Sequence, residues 1–341
     1  MAGFKVALVG CGGMSNAWLS NVTKREDCEV VALVDILPES AERQKAKYGL
    51  GCGVYTDLRK AIEERAVDTV LDVTIPDSHR EVVTTALRCG CRVFGEKPMA
   101  SSMAAAEEIH AVARETGNHY AVMQNRRFDR RIRTLAQTVA SKAIGDLGFA
   151  SADFFIGAHF GGFRDMMDNP LVLDMAVHTF DQARLITGAD AVAVYCHEFN
   201  PPGSWYKGNA SAVCVFEMSD GSVFDYRGSW CSEGFFTSWE SQWRVVGSEG
   251  TAIWDGHGAP VYERVRPSAE ARFNNEFDKV TPEMRDWGRQ MHDGCIDEMF
   301  ASALEGRRAE TDCTDNIRTM AMVFGAIESA RLKRRVELGR Y

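Results

Sequence analysis

One apolar strand and one glycine-rich turn make up the stretch Phe4-Lys5-Val6-Ala7-Leu8-Val9-Gly10-Cys11-Gly12-Gly13-Met14-Ser15. A largely apolar run of this length is typical of a strand buried on both faces of a parallel sheet. The turn follows the pattern G-x-G-x-x-S. Gly10 permits a tight turn, Gly12 permits close approach of a pyrophosphate, and Ser15 is a small third residue. A helix to about Arg25 follows, and its first N–H groups would face the phosphates.

A second apolar strand, Val30–Val34, ends in a carboxylate, Asp35. In dinucleotide-binding folds, a carboxylate about 20 residues after the glycine turn accepts hydrogen bonds from the adenosine ribose hydroxyls. Ile36 follows it, where an arginine could have paired with a 2′-phosphate, so the sequence favours NAD over NADP. The alternative is that Asp35 caps the helix that begins at Pro38.

Strand and helix patterns alternate as far as Met123, which predicts a parallel sheet with helices on both faces. The strand Arg92–Gly95 runs into Glu96-Lys97-Pro98, at the end of a strand where open α/β sheets bind ligands. Pro98 restricts Lys97 to an extended conformation, which fixes the direction of the amine. The alternative is a βα turn with a solvated Glu-Lys pair.

Another strand of the first half, Asp68–Thr74, leads into a turn that carries Pro76 and His79. We expect Thr74, Pro76 and His79 on the same edge of the sheet as Gly10 and Lys97. His79 is interpreted as a helix-start residue that at most lines a cofactor channel.

Strand patterns dominate the second half. We expect an open, mostly antiparallel sheet, with a hairpin turn at Met218–Gly221, an irregular polar segment at Gly256–Val280, and an apolar outer face that a second subunit would cover. The predicted strands are Phe149–Phe160, Ala191–Phe199, Ala210–Met218, Gly221–Trp230, Gln242–Val246 and Thr251–Trp254, and the predicted helices are Asn169–Thr187, Pro282–Leu304 and Asp315–Arg335.

Asp174 and His178 lie four residues apart on one of these predicted helices and would share a face. A carboxylate beside an imidazole fixes its tautomer and raises its basicity, which suits a general base. Alternatively, the pair stabilises the helix, the histidine is a satisfied core residue, or the two hold a metal. No third metal ligand with matching spacing is evident, so we predict no metal site. Arg126 or Arg127 would either bind substrate hydroxyls or form a solvated basic face. Weaker candidates for lining the substrate site are Phe155, His159 and Trp230.

The composition excludes several classes of protein. The net charge of −9 in 341 residues disfavours nucleic acids and anionic membranes as partners. No apolar run approaches the ~18 residues of a membrane helix, and the start shows no signal-peptide pattern. The ten cysteines include no C-x-x-C pair. This usage predicts reduced thiols and a cytoplasmic protein.

Together, the glycine turn, Asp35, Glu96-Lys97-Pro98 and the Asp174-x3-His178 segment resemble the glucose–fructose oxidoreductase/inositol dehydrogenase/rhizopine-catabolism (Gfo/Idh/MocA) family. The resemblance implies an NAD-binding Rossmann domain at 1–124 and an α/β domain with an open, mostly antiparallel sheet at 125–341, for substrate binding and oligomerisation. We expect the last two helices to pack on the first domain. The resemblance implies Lys97, Asp174 and His178 as the catalytic set. The implied cofactor-binding residues are Gly10, Gly12, Gly13, Met14, Asp35, Ile36, Thr74, Pro76, His79, Glu96 and Asn125.

The function expected from this resemblance is NAD-dependent oxidation of a ring hydroxyl on a sugar, sugar derivative or cyclitol. Either Lys97 or His178 accepts the proton first. Two rivals remain: a redox-neutral epimerase or eliminase that returns the hydride to its product, and a non-catalytic dinucleotide sensor. A homo-oligomer, dimer or tetramer, is expected through the open face of the second sheet.

Overall fold

Two sheets organise the chain in a computed structural model, which describes residues 3–268, 273–339 and 341. The described residues divide into two compact units. The first comprises 3–125, 292–320 and Tyr341, and the second comprises 126–268, 273–291 and 321–339. Among the described residues, no helix is long and apolar enough to cross a membrane.

The first unit contains a six-stranded sheet whose strands are all parallel, in the order β3-β2-β1-β4-β5-β6. The order reverses between β1 and β4, so loops diverge there and leave a crevice at the carboxyl ends of the strands. The predicted Rossmann-type sheet is confirmed. Its strands are β1 Phe4–Val9, β2 Cys28–Val34, β3 Gly53–Tyr55, β4 Thr69–Asp72, β5 Arg92–Gly95 and β6 Tyr120–Val122.

The helices begin and end at the residue types that favour those positions. Pro38 and Pro76 each start a helix, and Ser102 accepts a hydrogen bond from the N–H of Ala105. The helices are α1 Ser15–Val22, α2 Pro38–Tyr48, α3 Leu58–Arg65, α4 Pro76–Arg88, α5 Met103–Thr116, α6 Arg130–Ala140, α7 Val177–Thr187, α8 Met291–Leu304 and α9 Cys313–Leu332.

Helix α8 packs in the first unit although it lies far along the chain. Its Phe300 ring makes edge contacts with Phe4 on β1 and Phe94 on β5, at centroid distances of 4.9 and 5.2 Å. Asp297 on the same helix accepts a hydrogen bond from Arg25 at 2.9 Å. Helix α9 divides between the units, with residues 313–320 in the first and 321–332 in the second.

The second unit contains a nine-stranded sheet in the order β14-β13-β12-β11-β7-β10-β9-β8-β15. Strands β7 and β10 pair in parallel and the remaining neighbours are antiparallel, which confirms the mostly antiparallel prediction. The strands are β7 Leu147–Phe155, β8 Ala191–Phe199, β9 Ser211–Met218, β10 Val223–Ser229, β11 Gln242–Gly247, β12 Gly250–Trp254, β13 Val261–Val265, β14 Phe277–Val280 and β15 Val336–Glu337.

One face of this sheet is buried against α7. The Phe180 ring on α7 contacts Phe216 on β9 at 4.9 Å and Tyr226 on β10 at 5.4 Å. The opposite face of the same strands exposes apolar side chains, including Tyr195, Val213 and Val215. The alternation of buried and exposed residues along β9 shows that a single face packs on the helix.

The structure corrects three predicted segments. Gly256–Val280 is not wholly irregular, because it contains β13 and β14; residues 269–272 of that segment lie outside the described residues. Pro282–Leu304 is helical only from Met291, since Gly288 has a positive φ of 79° just before it. Asn169–Thr187 is not one regular α-helix, because Pro170–Ala176 forms a π-helix that continues into α7.

Candidate active site

The glycine turn lies at the carboxyl end of β1. Gly10 has a φ of +89°, and a Cβ there would lie 2.6 Å from the carbonyl oxygen of Val73, so the position requires glycine. A Cβ on Gly12 or Gly13 would have no neighbouring atom within 4 Å. The turn therefore leaves open space ahead of α1, in the position where the G-x-G-x-x-S pattern predicts a pyrophosphate.

The Asp35 carboxylate is fixed by two main-chain donors. Its Oδ2 accepts a hydrogen bond from the N–H of Cys11 at 2.7 Å, and its Oδ1 accepts one from Leu37 at 2.8 Å. Leu37, and not Asp35, occupies the N-cap position of α2. A carboxylate oxygen has two lone pairs, so each still has acceptor capacity for a ribose hydroxyl. Burial raises the pKa of the neighbouring Cys11 thiol to about 12, so this sulfur adds no charge beside Asp35.

Apolar side chains are exposed on three loops that follow β1, β2 and β4. Met14, Ile36, Leu37 and Ile75 are all exposed, and Ile36 is 87% exposed. Exposed apolar residues on converging loops are typical of a ligand surface, because a folded chain gains by covering them. Together with the open space at Gly12 and the acceptor pair of Asp35, they fit the adenosine and pyrophosphate of NAD.

Glu96 and Lys97 do not form a solvated pair. Glu96 is buried, and its Oε1 accepts a hydrogen bond at 2.8 Å from the indole N–H of Trp18 on α1. Lys97 is half-buried. This hydrogen bond anchors the residue that precedes Lys97 to α1. The Lys97–Pro98 peptide is cis.

His79 anchors the other side of this turn. Its ring is fully buried, with Nδ1 2.9 Å from the carbonyl oxygen of Pro98 and Nε2 3.1 Å from that of Thr74. Thr74 in turn donates from its N–H and hydroxyl to Oδ1 of Asp72. The structure therefore brings Thr74, His79 and the Glu96-Lys97-Pro98 turn together at the ends of β4 and β5. Contact of any of them with a cofactor stays a prediction.

Two further predicted cofactor residues belong to the first unit. Pro76 is the first residue of α4. Asn125 is buried, and its amide nitrogen lies 3.2 Å from Nδ1 of His292 in α8. His292 was not singled out from the sequence.

In the second unit, Asp174 and His178 are both buried, with 8% and 6% of their surface exposed. Asp174 lies in the π-helix and His178 in the first turn of α7. The wide π turn changes which residues lie over one another, and such turns are frequent at functional sites. Oδ2 of Asp174 accepts a hydrogen bond at 2.7 Å from Nε of Arg164.

Arg127 and His159, two of the four predicted substrate-lining residues, already pair with carboxylates. Arg127 is buried and forms a two-pronged ion pair with Asp181, at 2.9 and 2.6 Å. His159 is exposed, bonds Glu233 at 2.8 Å and stacks on Trp205 at 3.7 Å. Their contact with substrate stays a prediction.

The other two substrate-lining candidates are apolar. Phe155 is half-buried at the end of β7. Trp230 is buried, with its ring stacked 5.8 Å from Tyr206 and in edge contact with Phe160 at 5.5 Å. Its indole nitrogen has no hydrogen-bond partner among the described residues.

Arg126 is held among groups of the second unit. It forms an ion pair with Glu240 at 3.5 Å, and its guanidinium lies 5.9 Å from the ring centre of Trp239. Burial lowers the pKa of Arg126 and raises the pKa of Glu240. The alternative of a solvated basic face is wrong for Arg126 and Arg127, since both are enclosed beside carboxylates.

Family models match both halves of the chain. The model for the oxidoreductase family with an NAD-binding Rossmann fold matches residues 4–124, and that for the GFO/IDH/MocA C-terminal domain matches residues 132–253. The chain belongs to the GFO/IDH/MocA family. It is therefore an oxidoreductase with an NAD-binding Rossmann domain.

Two similar proteins are named as inositol dehydrogenases. Myo-inositol 2-dehydrogenase of Thermotoga maritima is 27% identical over 56% of this chain and 57% of its own length, so the match spans little more than half of that enzyme. Inositol 2-dehydrogenase 4 of Saccharopolyspora erythraea is 27% identical over 91% of each chain. An oxidoreductase of Agrobacterium radiobacter, solved with NAD+, L-tartaric acid and magnesium, matches 98% of each chain with a TM-score of 0.84 at 21% identity, and shows the same fold.

Arg164 was missed in the sequence, although a signal for it exists. It follows Gly161-Gly162-Phe163, and both glycines have positive φ, 68° and 71°. A pair of glycines before an aromatic residue and an arginine indicates a sharply turned loop that presents its side chains. The sequence could not show that this loop returns to Asp174, ten residues further on.

Proposed function

We propose that the chain oxidises a ring hydroxyl of a sugar, sugar derivative or cyclitol with NAD+, using Lys97, Asp174 and His178 as the catalytic set. The observation that carries the proposal is the anchoring of Lys97 at the end of β5. Glu96 before it is bonded to Trp18, and Pro98 after it contacts His79. Lys97 follows β5 at the same edge of the sheet as the glycine turn and Asp35, the edge where open α/β sheets bind ligands.

The residues divide the proton chemistry between them. The imidazole of His178 takes the proton from the substrate hydroxyl, while Asp174 orients the ring and stabilises its charged form. The ammonium of Lys97 donates a hydrogen bond to the same oxygen and stabilises its developing negative charge. The nicotinamide, when bound, supplies the acceptor for the hydride. The mechanism requires the Lys97 amine and the His178 imidazole to reach one oxygen.

The catalytic roles of Lys97 and His178 are tested with the variants Lys97→Met and His178→Gln. Each variant should lower kcat by about 10²- to 10⁴-fold, the usual contribution of a positioned acid or base, and leave the dissociation constant for NADH nearly unchanged. Lys142→Met and His257→Gln, at other sites in the second unit, are the controls and should retain full turnover. If both Lys97→Met and His178→Gln retained full turnover, the catalytic assignment would be wrong.

A panel of inositols, aldoses and sugar acids, followed by NADH absorbance, distinguishes the proposal from its rivals. Net oxidation gives one NADH per substrate consumed. A redox-neutral cycle converts substrate without accumulating NADH. A sensor binds NADH and converts none of the panel. A crystal structure with NADH and product, showing Lys97 and His178 on different atoms, would also refute the mechanism.

We further propose a homo-oligomer, assembled through the outer face of the nine-stranded sheet, and a cytoplasmic location. The exposed side chains of Tyr195, Val213 and Val215 on the neighbouring strands β8 and β9, and of Ile253 on β12, support the homo-oligomer. All ten cysteines are free thiols, which supports a reducing compartment.

A further inference from the structure

The guanidinium of Arg164 is held between two aromatic rings in the second unit. Its central carbon lies 5.1 Å from the ring centre of Phe160 and 4.7 Å from that of Phe163. Stacking of this kind fixes the plane of the guanidinium and reduces the entropy that a later contact would cost. Gly161 and Gly162, both in the left-handed region, turn the chain between the two rings.

Arg164 uses only part of its hydrogen-bonding capacity. Its Nε donates to Asp174 at 2.7 Å, and this is the one hydrogen bond of the Arg164 side chain within the described part of the protein. The two Nη groups carry four further N–H donors. The Arg164 side chain is 32% exposed, so a ligand can reach it.

The other residue with an unused donor, Trp230, also contacts Phe160. Trp230 contacts Phe160 edge-on at 5.5 Å and is only 2% exposed, and its Nε1–H has no acceptor in the described protein. A buried donor without an acceptor destabilises the folded state, so such a group is expected to meet a ligand or an ordered water. The surroundings of Phe160 therefore combine donors that lack acceptors with one fixed positive charge.

We infer that Arg164 binds a carboxylate of the substrate, which makes the substrate a sugar acid. A planar guanidinium with two free Nη groups matches the two oxygens of a carboxylate, whereas a hydroxyl would use only one donor. The anchoring through Nε places this anion site beside Asp174, and thus next to the hydroxyl that is oxidised. The inference rests on the proposed function and deepens it.

The competing role for Arg164 is purely to position Asp174. That role would affect every substrate equally, charged or neutral. Carboxylate binding instead affects only the preference for an acid over its neutral counterpart. The ratio of the two kcat/KM values therefore separates the two roles.

The experiment measures NAD+ reduction by the full-length protein with two matched pairs, D-glucuronate with D-glucose and D-galacturonate with D-galactose. The members of each pair differ only in a carboxylate against a hydroxymethyl group. We expect the wild-type protein to prefer the acid of at least one pair by about 10- to 100-fold, the range for one charge-assisted pair. Arg164→Gln should reduce that preference to near unity, mainly through KM, and Arg164→Lys should retain part of it.

Arg266→Gln, an exposed arginine on another loop of the second unit, is the control and should leave the preference unchanged. Thermal melting checks that each variant is folded. If Arg164→Gln does not fold, Phe163→Leu, which removes one of the two stacking rings, should weaken the preference for the acid. Preference for the neutral sugar in both pairs, or an unchanged ratio in the folded variants, overturns the inference.

Direct binding separates this inference from the proposed function. Calorimetric titration of NADH-loaded protein with the two uronates should give dissociation constants that rise at least about tenfold in Arg164→Gln. Uronate binding through Arg164 without oxidation of any sugar would refute the dehydrogenase and leave the anion site. Oxidation of neutral sugars with no Arg164-dependent uronate binding would refute the anion site and leave the dehydrogenase.

Discussion

At the scale of single residues, Glu198 shows how burial makes stability depend on pH. It lies near the end of β8, where its Oε2 accepts a hydrogen bond at 2.9 Å from Asn169, the residue before the π-helix. Its other oxygen is buried without a partner among the described groups. Burial raises the pKa of Glu198 from its usual 4.5 to about 7, and the bond from Asn169 offsets part of that rise.

Between about pH 4.5 and 7, Glu198 is therefore protonated in the folded protein and ionised in the unfolded chain. Over that range the free energy of unfolding falls as pH rises, because the native state binds more protons. Glu198→Gln removes this fall while its amide oxygen can still accept from Asn169. We expect the variant to exceed the wild type by roughly 1–3 kcal/mol at pH 8 and to match it at pH 4.

Urea unfolding at the two pH values measures this difference. Glu263→Gln on β13 is the control, since that carboxylate is exposed, and its stability should follow the wild type at both pH values. Wild-type and Glu198→Gln curves that run parallel from pH 4 to pH 8 would show that Glu198 does not carry the effect.

The sequence singles out candidate side chains by residue type and position, but it does not predict the residues that they contact. Asp35, Lys97, Asp174 and His178 stand out by residue type and by position after predicted elements. The contacts of Glu96 with Trp18, and of Arg164 with Asp174, join residues on different loops and helices. Such contacts depend on tertiary packing, for which a single sequence carries no local signal.

At the scale of elements, the turn between β1 and α1 offers a test of cofactor binding that is independent of catalysis. Gly12→Ala places a methyl group in open space, so the free energy of unfolding should change little. That space is where the pyrophosphate is expected, so the dissociation constant for NADH should rise by at least about tenfold, or 1.4 kcal/mol.

Gly51→Ala is the control for Gly12→Ala, because its methyl group also meets no atom within 4 Å and lies outside the predicted site. It should change neither stability nor NADH affinity. Gly10→Ala should lower both the stability and the NADH affinity, since its Cβ would collide with Val73. Fluorescence titration with NADH and urea unfolding report the two quantities. Unchanged NADH affinity in Gly12→Ala would remove the pyrophosphate from this turn.

Helices and strands could be predicted where burial produces a recognisable pattern of apolar residues in the sequence. The parallel strands of the first unit are buried on both faces and appear as apolar runs, whereas β9 alternates because one face packs on α7. Strands β13 and β14 lie at the end of the sheet and bury none of their residues, so they show neither pattern. The π-helix was missed because its residues, Pro170–Ala176, have the apolar pattern of an ordinary helix.

At the scale of the whole molecule, the nine-stranded sheet exposes apolar side chains on its outer face. On this face, residues of the paired strands β8 and β9 lie side by side: Tyr195 lies opposite Val215, and His197 lies opposite Val213. Arg227 and Asp153 form an exposed ion pair between the neighbouring strands β10 and β7. An apolar patch with a charged border is the composition expected of a subunit interface.

If this face joins two copies of the chain, a charge at its centre should separate them. Val215→Glu would place a carboxylate against an apolar partner surface, and burying an unpaired charge costs several kcal/mol. We expect the wild-type protein to sediment as a dimer or tetramer and Val215→Glu to sediment as a smaller species. Leu304→Glu, at an exposed apolar position on α8 in the first unit, is the control and should keep the wild-type assembly. A monomeric wild type, or an undissociated Val215→Glu, would show that this sheet face is not the interface.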